Sequence, residues 1–454
     1  MIIMSKLALL GGEKAVTITE TDCFKWPIVT EEDEAAVLEV IREGRMSHSD
    51  ITKEFEADYC KWTGSKYALG TNNGTSALLS AMYGCGVGKG DEVISASVTY
   101  WASCTSAYAL GATVVFVDID PYTLCLDPKK LESKITDKTK AIIVTHYCAY
   151  PADMDEIMAI ARKHNIKVIE DVSHAQGGKY KGRMLGTIGD VGAASLMSEK
   201  SLAIGEAGML HTDNREIYER AISLGMYERF ENADEIQTED LKSSAGLPRG
   251  GYKFRMHQVS SAIGRVQLKY YDERCKDIDK AFNYFLDLLE GVPGLKTRRT
   301  DPKSGSTMAG WYAAKLLYNP DELGGLSISR FAEAVRAEGM IGVGAKVGCN
   351  LPLHTHELFK SVDVYNAGAP TRIANANKDV REMDDDLEVS NNIGKYTLMI
   401  PMFRKFDKEV VEQCAAAFKK VAENYKDLLE GDQGDPETLG GWHLIDHKKK
   451  RTGK

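Results

Sequence analysis

The stretch Lys167-Val-Ile-Glu-Asp-Val-Ser-His174 decides the expected fold. Its first five residues contain a β-branched pair and end in Asp171, which predicts a buried strand with a carboxylate at its carboxyl end. Residues 154–164, just before it, have the periodicity of a helix, and the run Ala141-Ile-Ile-Val-Thr145 predicts an earlier strand. A strand, a helix and another strand in this order indicate a parallel arrangement.

The same alternation extends upstream. Strands are predicted at Tyr67-Ala-Leu-Gly70, at Glu92-Val-Ile-Ser-Ala96 and at residues 113–118, and a helical pattern covers residues 77–82. Repeated strand and helix segments predict an α/β fold whose mainly parallel sheet is covered on both faces. Ligands of such sheets bind at the carboxyl ends of the strands, so Asp171 is expected at a binding site.

The pattern changes near residue 290. The turn sequence Gly291-Val-Pro-Gly-Leu295 is followed by an apolar run at residues 311–318, which predicts a strand, and by an amphipathic helical pattern at residues 328–338. These segments predict a second, smaller α+β domain, with a solvated insertion at residues 376–388. We expect an N-terminal arm, a large domain, a small C-terminal domain and a loosely attached tail, at residues 1–30, 31–290, 291–430 and 431–454.

The composition argues against several classes of protein. The chain has 454 residues, with 66 Asp and Glu against 57 Lys and Arg and a net charge of -9, which argues against a nucleic-acid partner. The one basic run, His447-Lys-Lys-Lys-Arg451, is expected to be solvated. The N-terminus lacks the apolar stretch of a signal peptide, and no apolar run is long enough to span a membrane, so a cytoplasmic location is expected.

The nine cysteines are scattered along the chain and include no C-x-x-C pair. That pattern is typical of reduced thiols and gives no reason to expect a metal site. The cysteines lie at positions 23, 60, 85, 104, 125, 148, 275, 349 and 414.

Two residues give the first indication of chemistry. Asp171 would be costly to bury unless a cation compensates its charge, and a pyridinium nitrogen is one such cation. An acid that is hydrogen-bonded to loop amides or paired with a basic side chain is an equally good interpretation of Asp171 alone. Lys200, in the run Ser195-Leu-Met-Ser-Glu-Lys200, could form the Schiff base that pyridoxal phosphate (PLP) chemistry requires, or could be an ordinary surface lysine.

A third candidate is the turn Asn73-Gly74-Thr75-Ser76, which opens the helical pattern at residues 77–82. Backbone N–H groups and hydroxyls at a helix start can hold a phosphate, although any strand-to-helix turn favours the same residues. The loop Gly84-Cys-Gly-Val-Gly-Lys89 is not a P-loop, because Gly90 stands where a magnesium-binding Ser or Thr is required. Other residues that fit either a core or a site are His174, Tyr100 and Trp101.

Short motifs along nearly the whole chain follow the order of one protein family. The motifs are Leu10-Gly-Gly-Glu13, Trp26-Pro27, Phe55-Glu56, Gly74-Thr-Ser-Ala-Leu78, Gly90-Asp-Glu-Val-Ile94, Phe116-Val-Asp118, Pro151-Ala-Asp-Met-Asp155, Ala262-Ile-Gly264 and Pro352-Leu-His354. With them the sequence resembles the DegT/DnrJ/EryC1/StrS family of PLP-dependent sugar aminotransferases, a branch of the fold-type I enzymes related to aspartate aminotransferase. The resemblance implies a large domain with a mainly parallel seven-stranded sheet and a smaller α+β C-terminal domain.

The resemblance also implies roles for individual residues. Lys200 would form the Schiff base with PLP and move the proton between the substrate and the cofactor, while Asp171 would keep the pyridine nitrogen protonated. His174 would lie near the phenolic oxygen of the ring, and Tyr100, in preference to Trp101, would stack on the ring. The remaining cofactor contacts would be at the phosphate, from Gly74, Thr75, Ser76 and Ser195.

Active sites shared between two subunits are typical of this family. The segment Gly251-Tyr-Lys-Phe-Arg-Met256 would reach the cofactor of the neighbour in a homodimer, with Lys253 where many relatives have an asparagine that binds the phosphate. Lysine keeps a hydrogen-bond donor and adds a positive charge.

The sequence departs from the family near Lys200, and these departures bear on the substrate more than on cofactor binding. They are Met197, Glu199 and Ala207.

The implied reaction moves an amino group from glutamate or glutamine to a keto-sugar, with or without a linked nucleotide, or to a cyclitol ketone. A sugar dehydratase of the same fold is the nearest alternative, but such relatives have histidine in place of the Schiff-base lysine. An inactive regulatory or scaffold protein is a second alternative, which the intact Lys200 and Asp171 oppose. The candidate substrate residues, each also compatible with a structural role, are His146, Arg255 and His354.

Overall fold

The strand predicted at Lys167–Asp171 is the central strand of a seven-stranded sheet. The computed structural model describes residues 6–18, 20–47, 49–230, 233–345, 348, 350–362 and 387–442. Within these ranges the strands, numbered in chain order, are β1 (Tyr67–Thr71), β2 (Glu92–Ala96), β3 (Thr113–Val117), β4 (Thr139–Thr145), β5 (Lys167–Asp171), β6 (Lys179–Tyr180), β7 (Arg183–Met184), β8 (Val191–Ser195), β9 (Gly208–Thr212), β10 (Leu295–Lys296), β11 (Lys315–Tyr318), β12 (Gly344–Ala345) and β13 (Thr397–Met399).

The large sheet has the strand order β1-β9-β8-β5-β4-β2-β3. Strands β3, β2, β4, β5 and β8 run parallel to one another. Strand β9 is antiparallel to both of its neighbours, β8 and β1, so β1 has the same direction as the five parallel strands. The prediction of an α/β fold with a mainly parallel seven-stranded sheet is therefore confirmed.

Both faces of this sheet are covered. Val168 and Ile169, which follow each other in β5, belong to two different hydrophobic clusters, and so do Ile142 and Ile143 in β4. Successive side chains of a strand point to opposite faces, so each cluster lies on its own side of the sheet. This double burial explains why these strands are apolar runs without polar alternation.

The helices of the described ranges surround the large sheet and complete the C-terminal part of the chain. Among the described residues no helix combines the length and the apolar content that crossing a membrane would need. The α-helices are α1 (Glu31–Arg42), α2 (Ile51–Thr63), α3 (Gly74–Gly84), α4 (Ala102–Ala109), α5 (Pro128–Leu131), α6 (Met154–Lys163), α7 (Arg215–Gly225), α8 (Glu239–Lys242), α9 (Gln258–Leu289), α10 (Ile328–Ala337), α11 (Glu357–Ser361), α12 (Glu388–Asn392), α13 (Lys408–Glu423) and α14 (Lys426–Leu429).

A second, antiparallel sheet follows the 32-residue helix α9. Its strand order is β10-β11-β13-β12. The C-terminal half of α9 contributes Phe282 and Phe285 to a hydrophobic cluster that also contains Leu316 of β11, Phe331 of α10 and Phe418 of α13. Helix α9 also packs against α1 and α2. It thereby connects the large sheet and the small sheet.

The strand predicted at residues 311–318 is shorter than expected, because β11 begins only at Lys315. Ala309, Trp311 and Ala313 have φ angles of 46°, 47° and 55°. These left-handed conformations interrupt an extended backbone, and they are rare for residues other than glycine. The prediction of a strand over residues 311–314 is therefore wrong, and this segment is a loop that carries Tyr312.

Part of the segment expected to be a loose tail is hydrogen-bonded to helix α10 through Asp432 and Asp435. Asp432 accepts hydrogen bonds from the backbone N–H and the hydroxyl of Ser327 at 2.7 and 2.5 Å, and Asp435 accepts one from the N–H of Ser329 at 3.0 Å. Both carboxylates lie at the N-terminus of α10, where negative charge is favourable. Most of the predicted solvated insertion, residues 376–386, and residues 443–454 lie outside the described residues.

Candidate active site

Polar side chains gather at the carboxyl ends of β4, β5 and β8. Asp171, at the end of β5, is 3% exposed. Its Oδ2 accepts a hydrogen bond from the hydroxyl of Ser103 at 2.7 Å, and its Oδ1 accepts one from the N–H of Ser173 at 3.0 Å. Ser103 lies on α4, so a helix and the loop after β5 together fix the orientation of the carboxylate.

The start of helix α3 lies against the ends of β8 and β9. Asn73 is the N-cap, and its Oδ1 accepts a hydrogen bond from the N–H of Ser76 at 2.8 Å. A Cβ on Gly74 would lie 2.6 Å from the Cβ of Ser195, and a Cβ on Gly208 would lie 2.3 Å from the carbonyl oxygen of Asn73. Only glycine permits the backbone at positions 74 and 208 to come so close to its neighbours. As a result, Ser195 lies beside the N-terminus of α3, which carries the positive end of the helix dipole. Backbone donors in this setting suit a phosphate group.

Lys200 follows β8 in a turn, and its side chain is buried with only 8% exposed. Its Nζ lies 4.2 Å from the centroid of the Tyr312 ring. Gln176 fixes the neighbouring backbone, because its Nε2 donates to the carbonyl of Ser195 at 2.6 Å and its Oε1 accepts from the N–H of Leu202 at 2.8 Å. The interpretation of Lys200 as an ordinary surface lysine is therefore wrong.

His174 lies next to Lys200 and is buried between two tyrosines. Its ring centroid is 5.2 Å from that of Tyr147 and 4.6 Å from that of Tyr312. Burial lowers the pKa of His174 well below its usual value, and the charges of Lys200 and Lys315 lower it further. The imidazole is thus neutral at pH 7. Its Nδ1 accepts from the N–H of Cys148 at 3.4 Å, so Nε2 carries the proton and is the hydrogen-bond donor.

The two aromatic candidates for stacking on a ring lie on the turn between β2 and α4. Tyr100 is half-buried, Trp101 is 39% exposed, and their ring centroids are 4.8 Å apart. The same turn includes Thr99, whose hydroxyl is 3.2 Å from that of Ser103, the donor to Asp171. The turn therefore brings Tyr100 to the carboxylate end of the site. Its stacking role stays a prediction.

Two of the three candidate substrate residues, His146 and His354, are buried and hydrogen-bonded to neighbouring protein groups. His146 is 0% exposed, its Nε2 is 2.9 Å from Oε2 of Glu170, and its Nδ1 accepts from the N–H of Ala152. His354 is also buried, with Nδ1 2.5 Å from the hydroxyl of Ser97 and Nε2 2.9 Å from the amide oxygen of Asn391. Protein groups thus engage both nitrogens of each ring. A contact of either histidine with substrate stays a prediction.

Arg255 and Lys253 lie on the segment that precedes α9. Arg255 is half-buried, and its Nε is 3.0 Å from Oε1 of Glu228. Arg255 also bridges to Thr71 at the end of β1, which places the segment beside the start of α3. Lys253 is exposed. Contact of Lys253 with a neighbouring subunit stays a prediction.

Two residues of the site were not found from the sequence. Tyr312 contacts both Lys200 and His174, and Lys315 is 2% exposed, with its charge acting on His174. The apolar pattern assigned Tyr312 to a strand, whereas left-handed residues on both sides of it form a loop. Backbone strain of this kind collects at functional sites. The one feature of the sequence that could have indicated this part of the site was Lys315, a charged residue inside an apolar run.

The fold and this site define a PLP-dependent aminotransferase of fold type I. The model of the DegT/DnrJ/EryC1/StrS aminotransferase family matches residues 27–419, and the chain therefore belongs to this family. It is an enzyme that transfers an amino group, with PLP as the cofactor. The residues present fit that group, because a buried lysine, a buried carboxylate and a glycine-lined helix start lie along the same edge of the sheet.

Similar proteins span nearly the whole chain. The spore coat polysaccharide biosynthesis protein SpsC of Bacillus subtilis (strain 168) is 29% identical over 408 residues, which cover 90% of this chain and 97% of SpsC. An aminotransferase structure from Psychrobacter cryohalolentis has 28% identity and a TM-score of 0.76, covering 88% of this chain and 99% of that one. DesV from S. venezuelae, solved in complex with a ketimine intermediate, has 26% identity and a TM-score of 0.70, covering 87% and 95%.

Proposed function

We propose that the protein transfers an amino group from glutamate or glutamine to a keto-sugar, with or without a linked nucleotide, or to a cyclitol ketone. The observation that carries this proposal is that Lys200 and Asp171 are both buried residues at the same edge of the sheet. A lysine that alternately binds the cofactor and moves a proton, together with an acid for the pyridine nitrogen, is the pair that transamination needs.

The bound cofactor supplies an electron sink for the carbon that loses its proton. In our proposal Asp171 holds a proton on the pyridine nitrogen, in the orientation that Ser103 and Ser173 impose. Lys200 would hold the cofactor covalently through its amine and would carry the proton to and from the substrate carbon. His174, which is neutral and donates from Nε2, suits the phenolic oxygen of the ring.

The other cofactor contacts are proposed from the helix start and the loops. The N–H groups at the start of α3 and the adjacent hydroxyls would hold the phosphate, and Tyr100 would stack on the ring. We further propose a cytoplasmic homodimer in which Lys253 of the partner subunit reaches the phosphate. The proposed phosphate contacts of this chain are Gly74, Thr75, Ser76 and Ser195.

Support for a sugar-like acceptor comes from the relatives. SpsC is named for polysaccharide biosynthesis, and its similarity extends over almost its full length. Of the candidate substrate residues, we retain Arg255, which is half-buried and paired with Glu228. A dehydratase of the same fold is disfavoured because those relatives replace the Schiff-base lysine with histidine. An inactive regulatory or scaffold protein is disfavoured by the complete lysine and acid pair.

The visible absorption spectrum with PLP tests the proposal. We expect the purified protein to give a visible absorption band when its lysine is bound to PLP, and we expect Lys200→Ala to lack this band. Lys315→Ala, which removes the other buried lysine of the site, serves as the matched control and should retain the band. A band that survives in Lys200→Ala and disappears in Lys315→Ala would contradict the assignment.

The substrates are identified by following each half of the reaction. The protein is first mixed with glutamate or glutamine until the band disappears, and a panel of keto-sugars and inososes is then added. A ketone that restores the band is an acceptor. If no ketone restores it although an amino donor has removed it, the proposed acceptor class is wrong.

A further inference from the structure

Two distant segments contact the backbone of the lysine turn, which we define as residues 196–202. The indole N–H of Trp26 donates to the carbonyl oxygen of Lys200 at 3.0 Å. The guanidinium of Arg404 donates from Nη2 to the carbonyl oxygen of Glu199 at 3.3 Å. Two consecutive carbonyls of the turn are thus fixed by one residue near the N-terminus and one residue after β13.

Trp26 and Arg404 also support each other. The Cζ of Arg404 lies 4.3 Å from the centroid of the Trp26 ring, a cation–π geometry. The backbone N–H of Arg404 donates to the carbonyl of Cys23 at 2.7 Å, which ties the two segments together three residues before Trp26. The hydrogen bonds of Trp26 and Arg404 to the lysine turn are made to main-chain carbonyls. They act on the lysine turn through its main chain.

Arg404 is a charged residue in a buried position, with 3% of its surface exposed. Burial lowers the pKa of its guanidinium to about 10, and attraction from Tyr312, Tyr271 and Glu199 opposes that change. Arg404 therefore stays charged at neutral pH. The attraction also gives a role to Glu199, a departure from the family, because its exposed carboxylate favours the charge of Arg404.

We propose that Trp26 and Arg404 are positioning residues for the Schiff-base lysine. Fixing the carbonyls of Glu199 and Lys200 fixes the backbone dihedrals of Lys200, and hence the direction in which its side chain leaves the turn. Reaction rates are sensitive to displacements of about 1 Å in such groups. This inference rests on the proposed function of Lys200.

The test uses conservative variants and the rate at which the coenzyme-free protein develops its PLP band. Trp26→Phe keeps an aromatic ring near Arg404 but removes the indole N–H donor, and Arg404→Gln removes the charge. Both should slow band formation by roughly fivefold to tenfold, the equivalent of one hydrogen bond, and should shift the pH midpoint of the band. Arg404→Lys, which keeps the charge but loses the planar donors, should recover part of the rate.

The matched control is Trp62→Phe. The indole N–H of Trp62 donates to Oδ1 of Asp272 at 2.9 Å in an exposed contact, so this variant loses a hydrogen bond of the same kind elsewhere. It should form the band at the wild-type rate. Each variant is measured well below its melting temperature, which separates positioning from loss of stability. If Arg404→Gln does not fold, Trp26→Phe decides alone.

The inference is overturned if Trp26→Phe and Trp62→Phe form the band at the same rate with the same pH midpoint. Failure of the proposed function has a different signature, because the wild-type protein itself would then form no band with PLP.

Discussion

Glu170 and Asp171 are successive residues of β5 and have different roles, because their side chains face opposite sides of the sheet. Glu170 is fully buried and accepts hydrogen bonds from the N–H groups of Gly186, Ile188 and Gly189 and from His146. Burial pushes the pKa of Glu170 up, but these donors hold it below its usual value. Glu170 therefore stabilises the loop after β7, while Asp171 is available for the site.

Replacing Asp171 with asparagine tests the proposed role of Asp171 at the pyridine nitrogen. Asparagine is similar in size and can still accept a hydrogen bond from Ser103, but it cannot keep the pyridine nitrogen protonated. We expect the catalytic rate in single-turnover measurements to fall by roughly a hundredfold or more, with folding retained. Asp190→Asn is the matched control, since Asp190 accepts from the N–H of Val168 near the other end of β5. Equal rates in the two variants would contradict the assigned role.

Single site residues could be predicted from the sequence where both the type of side chain and its position in the chain pointed to a function. Asp171 could be singled out because it is a charged residue at the end of an apolar strand, and Lys200 because the family resemblance implies a Schiff-base lysine there. Tyr312 could not, because its contact with Lys200 depends on a loop more than a hundred residues away whose left-handed backbone has no pattern in the sequence. The contacts of His146 could not be predicted either, because a sequence does not show that Glu170 and Ala152 engage its ring.

The start of helix α3 is the element on which phosphate binding depends. In Gly74→Ala, the new Cβ would lie 2.6 Å from the Cβ and 2.8 Å from the Cα of Ser195, so the helix start would have to move away from β8. We expect the dissociation constant for PLP, measured by fluorescence titration of the coenzyme-free protein, to rise about tenfold, an amount equivalent to about 1.4 kcal/mol. The melting temperature should also fall.

The control for Gly74→Ala is Gly88→Ala. Gly88 lies outside the left-handed region, and the nearest atom to a Cβ there is an Asp91 carboxylate oxygen at 4.0 Å. This variant should bind PLP with the wild-type constant. An unchanged constant in Gly74→Ala would mean that the helix start does not hold the phosphate.

Elements were predicted well where hydrophobic burial alone determines them. The strands of the parallel sheet are buried on both faces, so their apolar runs were visible in the sequence. The antiparallel insertion of β9 between β1 and β8 was not predicted, because strand order depends on contacts between segments far apart in the chain. This insertion matters for the site, since Lys200 lies on the connection from β8 to β9.

In the molecule as a whole, the residues in and around the site come from the N-terminal and C-terminal parts of the chain and from segments next to both sheets. Trp26 precedes α1, Lys200 follows β8, Tyr312 precedes β11 and Arg404 follows β13. A residue pattern within any one segment could not reveal this convergence. The small sheet is therefore part of the environment of the lysine as well as a separate structural unit.

The stability of the whole molecule should depend on pH through His211, which is fully buried in β9. Its Nδ1 is 3.0 Å from the hydroxyl of Ser65, and a Cβ on Gly192 would lie 2.4 Å from its Nε2, so there is no space for a solvating water on that side. Burial lowers its pKa from 6.5 to about 4. The unfolded chain therefore binds a proton between these pH values that the folded protein does not bind.

His211 has a lower pKa in the folded protein than in the unfolded chain. The free energy of unfolding therefore has its full value above pH 6.5 and decreases as the pH falls towards 4. At pH 5 the loss should be about 2 kcal/mol, measured as the free energy of unfolding by urea relative to pH 7. His211→Phe removes this titration, so its loss over the same interval should be smaller by that amount, even if its stability at pH 7 is lower. His164→Phe, which replaces an exposed histidine paired with Glu132, should keep the dependence that His211 causes. If His211→Phe loses as much stability as the wild type between pH 7 and pH 5, other groups cause the acid sensitivity and the buried imidazole does not.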